Sequence, residues 1–134
     1  MTRPPLAALV YADLIGVPFV AGGRGPDGYD CWGVLQAVLH RLDRSPTDFP
    51  SNPDLLRYAL SDEWQPLEAS QVEPGDAILL RSSDSRWVWH IGVVVDGCRM
   101  LHAREGVGVC VERFDSPAYA RRIAGYYRFR GRPE

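Results

Sequence analysis

Three side chains in this sequence offer nucleophile and base chemistry in a usable order: Cys31, His90 and His102. A thiol is a good nucleophile only as its thiolate, and a helix N-terminus favours that anion. Cys31 stands in the first turn of a segment in which Cys31, Val34, Leu35, Val38, Leu39 and Leu42 recur at helical spacing. Asp30 just before it suits the N-cap. The spacing thus predicts a helix that aims Cys31 inward on its apolar stripe. His90 opens the apolar run His90-Ile91-Gly92-Val93-Val94-Val95. A histidine at the head of a buried strand needs a hydrogen-bond partner. A Cys–His pair answers that need, because the imidazole takes the thiol proton and the sulfur attacks an acyl carbon. The competing reading has Cys31 packing as a small core residue. A Gly-rich loop leading into Cys31 and the unbranched Gly33 after it favour the reactive reading.

His102 is the expected third member, orienting His90 through its other ring nitrogen. Its placement depends on the turn at Asp96-Gly97. A two-residue Asp-Gly hairpin loop puts His90 and His102 on opposite faces of the sheet. A three-residue loop, Asp96 to Cys98, or a bulge puts them on the same face. The alternative for His102 is a buried histidine bonded to backbone. Trp32 lies off the apolar stripe, so it is expected near the mouth of a cleft or under the loop from Ser45 to Pro53. Gly92, on the face of His90, is expected to leave room for another element.

Other candidates have weaker claims. His40 falls off the helical stripe and reads as a surface residue. Asp76 after Pro74-Gly75 reads as a turn residue and not a catalytic acid. Cys98 and Cys110 read as small buried hydrophobes in preference to a disulfide. The sequence has no CxxC, HxxxH or HExxH, so neither a metal nor another cofactor is expected.

The elements that must hold these residues follow from periodicity. A short helix from Leu6 to Leu14 is expected to stop near Gly16 and Pro18. Ala21 to Tyr29 is a Gly-rich loop without phosphate-binding spacing. The helix of Cys31 to Leu42 comes next, then a Pro- and Ser-rich connection and a short helix started by Asn52-Pro53-Asp54 and running through Leu60. Strands follow at Ala77–Arg81, Val88–Val95, Arg99–Ala103, Val107–Glu112 and Ile123–Phe129. Helices before a mostly antiparallel sheet define an α+β class. With 134 residues, residues 1–134 are expected to form one domain.

Composition narrows the partners. The formal charge is −2 and every basic residue is Arg, which gives no electrostatic preference for nucleic acid. No window reaches the length of a membrane span, so no membrane partner is expected. The opening residues lack a clear signal-peptide core and cleavage site. The expectation is a soluble chain, cytoplasmic on synthesis, for which any export needs another route.

Taken in order, the stretches Pro18 to Gly33 (PFVAGGRGPDGYDCWG), Glu73 to Leu80 (EPGDAILL) and His90 to Ala103 (HIGVVVDGCRMLHA) resemble the NlpC-type peptidoglycan cysteine peptidases. The resemblance runs from about Leu14 to Glu112. It implies a papain-like fold with Cys31 as nucleophile, His90 as base and His102 as the orienting residue. It also implies a cut in the peptide stem of peptidoglycan, usually between D-glutamate and a diamino acid. Phe19, Gly23, Asp30 and Trp32 are the candidate substrate-contacting residues. Asp30 matches a family position that recognises the substrate's amino end, and Phe19 stands where a tyrosine is usual. The Asp30-Cys31-Trp32-Gly33 form resembles members associated with phage tails and prophages. That implies tail proteins as partners and delivery by a virion to the periplasm or cell wall. Three functions remain open: a wall endopeptidase, a non-catalytic module of a phage tail tip, and a thiol amidase or acyltransferase.

Overall fold

The computed structural model describes residues 10–48, 61–82 and 88–131. The stripe beginning at Cys31 forms helix α1, Cys31–Arg41, and its apolar residues are buried. Asp30 caps it: the carboxylate Oδ1 accepts from the Gly33 N–H at 2.7 Å, satisfying one of the amides that a helix start leaves unpaired. Only the end of the expected first helix is described, and there Ala12–Leu14 is a single 3-10 turn. The helix expected to start at Asn52-Pro53-Asp54 and run through Leu60 lies outside the described residues.

Among the described residues, six strands make one sheet: β1 Trp64–Leu67, β2 Ala77–Arg81, β3 Val88–Val94, β4 Arg99–Arg104, β5 Gly108–Arg113 and β6 Ile123–Phe129. Their order is β1-β6-β2-β3-β4-β5, and every pairing is antiparallel. A one-turn helix α2, Pro117–Ala120, precedes β6. The class is α+β, as the periodicity predicts. β1 and α2 are additions to the expected elements. Four residues with a proline at the third position, Trp64-Gln65-Pro66-Leu67, give little strand signal, and an edge strand tolerates that proline.

The two faces of the sheet bury different things. On one, Val34, Leu35, Val38 and Leu39 of α1 pack on Ala77, Leu79, Ile91, Val93, Leu101, Ala103 and Val109. Each such Leu or Val contributes roughly 1.5–3 kcal/mol by leaving water. On the other, Ile78, Leu80, Val94, Met100, Phe114 and Tyr119 form a smaller cluster. The space beside Gly92 is taken by the Met100 side chain, not by a further element. Asp76 sits in its predicted turn but is fully buried, where Arg128 grips it through two hydrogen bonds of 2.9 Å. Among the described residues no helix is long and apolar enough to cross a membrane.

Candidate active site

The β3–β4 turn settles the parity question. Val93 pairs with Leu101 and Val94 with Met100, and Val95 N–H donates to the Arg99 carbonyl at 2.9 Å. The loop therefore has three residues, Asp96 to Cys98. Asp96 Oδ1 accepts from the N–H groups of Cys98 and Arg99 at 3.1 and 3.0 Å, which favours the longer turn over an Asp-Gly hairpin. The register then sets His90 and His102 on the same face. His90 Nε2 lies 2.7 Å from His102 Nδ1, and both rings are buried. The expected contact between the two imidazoles is formed.

Cys31 stands at the start of α1 and approaches β3 one residue past His90. The β3–β4 ladder covers Val93–Val94 and Met100–Leu101; before it, the Ile91 N–H is directed at the Cys31 sulfur. The thiol thus lies against the residue following His90, at the start of α1.

Burial sets the electrostatics of the resting site. It pushes the Cys31 thiol up to about 11, further than the N–H groups of Ile91, Trp32 and Cys31 itself pull it down, while the Asp30 charge adds to the rise. Burial also drives His90 down to about 3, reinforced by His102, Arg122 and Arg104. The sequence predicts a thiol activated by the helix start. In the folded protein that effect is outweighed by exclusion of water, which penalises the anion more than a few amides stabilise it. Both shifts favour the uncharged forms at rest, a thiol and a neutral imidazole.

A second set of residues extends the histidine pair. His102 Nε2 lies 3.0 Å from Glu112 Oε1. The same oxygen accepts from the Tyr119 hydroxyl at 2.9 Å and from Arg104 Nη1 at 3.2 Å. Burial would raise the Glu112 carboxyl, but the bonds from Tyr119 and His102 and the charge of Arg104 hold it below its ordinary range. Sequence reasoning misses Glu112 and Tyr119. The signal lies in the β4–β5 register, which pairs His102 with Cys110 and so puts Glu112 on the same face. His102, Cys110 and Glu112 each bring a donor atom within 4.8 Å of the others. Tyr119 and Arg104 already occupy the carboxylate oxygen, so the group is a hydrogen-bond network. Cys98 and Cys110 are free and half-buried, more exposed than expected.

The candidate substrate contacts fare differently. Trp32 is 3% exposed and packs on Trp64, ring centroids 6.4 Å apart. Of the two expected placements, the cleft mouth is not the one found: Trp32 is a core residue, because strand β1 covers that face of the helix. Asp30 Oδ1 accepts from Arg24 Nη1 at 2.7 Å as well as from Gly33, and Arg24 also binds Asp48. Gly23 is packed against the helix start: its carbonyl accepts from Asp30 N–H at 3.2 Å, and a side chain at Gly33 would overlap that carbonyl. Phe19 is half-buried against the main core and bridges to Tyr29. His40 is exposed, as predicted.

A match to the NlpC/P60 family covers residues 16–128. This chain belongs to the NlpC/P60 family. Among its relatives, a protein of Mycobacterium tuberculosis named a probable endopeptidase is 32% identical over 112 residues, 81% of this chain and 26% of that protein. The murein DD-endopeptidase MepS/murein LD-carboxypeptidase of Escherichia coli is 24% identical over 84% of this chain and 55% of its own length. The chain therefore spans between about a quarter and about half of these NlpC/P60 relatives. An NlpC/P60 family protein of Bacillus cereus has the same fold, with a TM-score of 0.76 at 19% identity over 96% of this chain and 41% of that one.

Proposed function

We propose that this NlpC/P60 domain is a cysteine peptidase that hydrolyses an amide bond in the peptide stem of bacterial peptidoglycan. The observation that carries the reading is the Cys31 sulfur at a helix start against the backbone of Ile91, one residue along β3 from His90, whose ring contacts His102. The names of its relatives supply the substrate class.

In the proposed reaction the Cys31 sulfur attacks the scissile carbonyl while His90 takes the thiol proton. The N–H of Cys31, which has no partner within the helix, would donate to the developing oxyanion. His90 then protonates the departing amine as the C–N bond breaks, leaving a thioester. Water, giving a proton to His90, attacks the thioester and releases the acid, and the proton returns to sulfur. Because thiol and imidazole are both neutral at rest, proton transfer accompanies attack and does not precede it. The action belongs at the cell wall, and the Asp30-Cys31-Trp32-Gly33 form supports delivery by a phage tail or prophage particle.

Digestion of purified wall fragments, with products identified by mass, tests this. Wild type should release stem-peptide fragments, Cys31→Ala none, and His90→Ala should be slower by roughly 10²- to 10⁴-fold. Release by Cys31→Ala at the wild-type rate would overturn the reading. The burial of Cys31 favours one other reading, a wall-binding module that keeps the fold without turnover. Retention of wild type on insoluble walls without product would select it.

A further inference from the structure

Which nitrogen of His90 can act as the base is a question of where the protons sit along His90, His102 and Glu112. The chain of contacts has one fixed end. Glu112 receives the Tyr119 hydroxyl and Arg104 Nη1 on the same Oε1 that faces His102. These two donors, with the Cys110 thiol directed at the same oxygen at 3.6 Å, favour the ionised carboxyl, and an ionised carboxylate only accepts. The partner it faces, His102 Nε2 at 3.0 Å, must then carry a proton. A neutral imidazole carries a single N–H, so His102 Nδ1 holds a lone pair and accepts. His90 Nε2, 2.7 Å away, is therefore the donor. The proton of neutral His90 is thereby committed to Nε2, and its lone pair to Nδ1.

We propose that Glu112, clamped by Tyr119 and Arg104, is a positioning residue that sets the tautomers of both histidines and so makes His90 Nδ1 the atom that receives the Cys31 proton. This rests on the peptidase reading of the site. Without the carboxylate, His102 can turn its N–H to Nδ1 and donate to His90 Nε2. That places the His90 proton on Nδ1, where it can no longer accept one from sulfur. The burial of both rings keeps them neutral and so keeps each limited to one N–H. Among the described residues, the charges acting on the pair are Arg104, Arg122 and Glu112. Neither arginine accepts a hydrogen bond, so Glu112 alone among these charges can impose the direction.

The chain has three histidines, one of them the exposed His40, so long-range ¹H–¹⁵N spectra of ¹⁵N-histidine-labelled protein can resolve each ring. Wild type should show N–H on Nε2 of both His90 and His102. Glu112→Ala should show a shift toward Nδ1–H and a fall in kcat of roughly 10- to 100-fold, the scale for losing an orienting partner, with KM little changed. Glu112→Gln should retain the wild-type tautomers and most of kcat, because Tyr119 and Arg104 both favour an acceptor at the Oε1 position. A purely structural role would lower the stability of the variants without this split. Nδ1–H on His90 in wild type would overturn the inference, as would unchanged tautomers in a folded Glu112→Ala. Should Glu112→Ala fail to fold, the wild-type spectrum and Glu112→Gln still decide it. Tautomers as stated in a wild type that releases no wall product would sink the peptidase reading and leave the proton assignment standing.

Discussion

The nucleophile and the base are held in place by different physics. Around Cys31 the restraints are backbone and steric: an N-cap on Gly33, the Gly23 carbonyl against the helix start, and the Ile91 N–H on the sulfur. Around His90 they are side-chain hydrogen bonds in a buried row, through His102 to Glu112 and Tyr119. The first arrangement fixes where an atom lies and barely depends on pH. The second fixes where protons lie, and it works only while the imidazoles stay neutral and the carboxylate charged. A helix start can be secured by local chain geometry, whereas a proton must be directed by partners.

Acid should separate the two halves most strongly. Folding holds His90 down at about 3 and His102 below its ordinary 6.5, in both cases chiefly through burial. Between about 3 and 6.5 the unfolded chain therefore binds more protons than the folded one. Stability is lost as pH falls through that window, by up to about 1.4 kcal/mol per pH unit for each imidazole. Urea unfolding from pH 7 down to about 5 keeps Glu112, also held low when folded, from dominating the slope. His90→Asn should flatten that slope by one histidine's share. An unchanged slope would mean that the base half is not held through neutral rings.

A steric change should strike the other half. Gly33→Ala gains roughly 1 kcal/mol in helix propensity, but its methyl overlaps the Gly23 carbonyl, which cannot rotate away. Overpacking of this kind costs about 1–3 kcal/mol. The urea midpoint should fall at every pH with the acid slope unchanged. A variant as stable as wild type would show that the loop yields easily.

The smallest effect is expected at the cap. Asp30→Ala should cost about 1 kcal/mol, and Asp30→Ser should recover most of it by accepting the same Gly33 N–H. Arg24 keeps Asp48 in either variant. If serine recovers nothing, the Arg24 pair and not the cap is what Asp30 contributes, and the comparison needs redrawing.

Much of the frame is legible in the residues because it is local. The period of Val34, Leu35, Val38 and Leu39 marks both α1 and its buried face. Asp30 marks its start, and β2 and β6 have the predicted limits. The His90–His102 contact was reducible to a choice of loop length, since alternation in a strand is fixed once the turn is known. Substrate contacts were less legible: of the four candidates, Trp32 is core, and Asp30 and Gly23 are engaged at the helix start.

The sequence by itself determined the family, the helix that carries Cys31 and the strands that carry its partners, because these depend on spacing along the chain. Only the tertiary structure decided that Trp32 is covered, since β1 approaches from a distant segment. Only it decided that Cys31 is a neutral thiol, since the cost of a charge depends on how much water the rest of the fold removes. And it brought Glu112 to His102, a neighbour created by the register of two strands and by no pattern in either one.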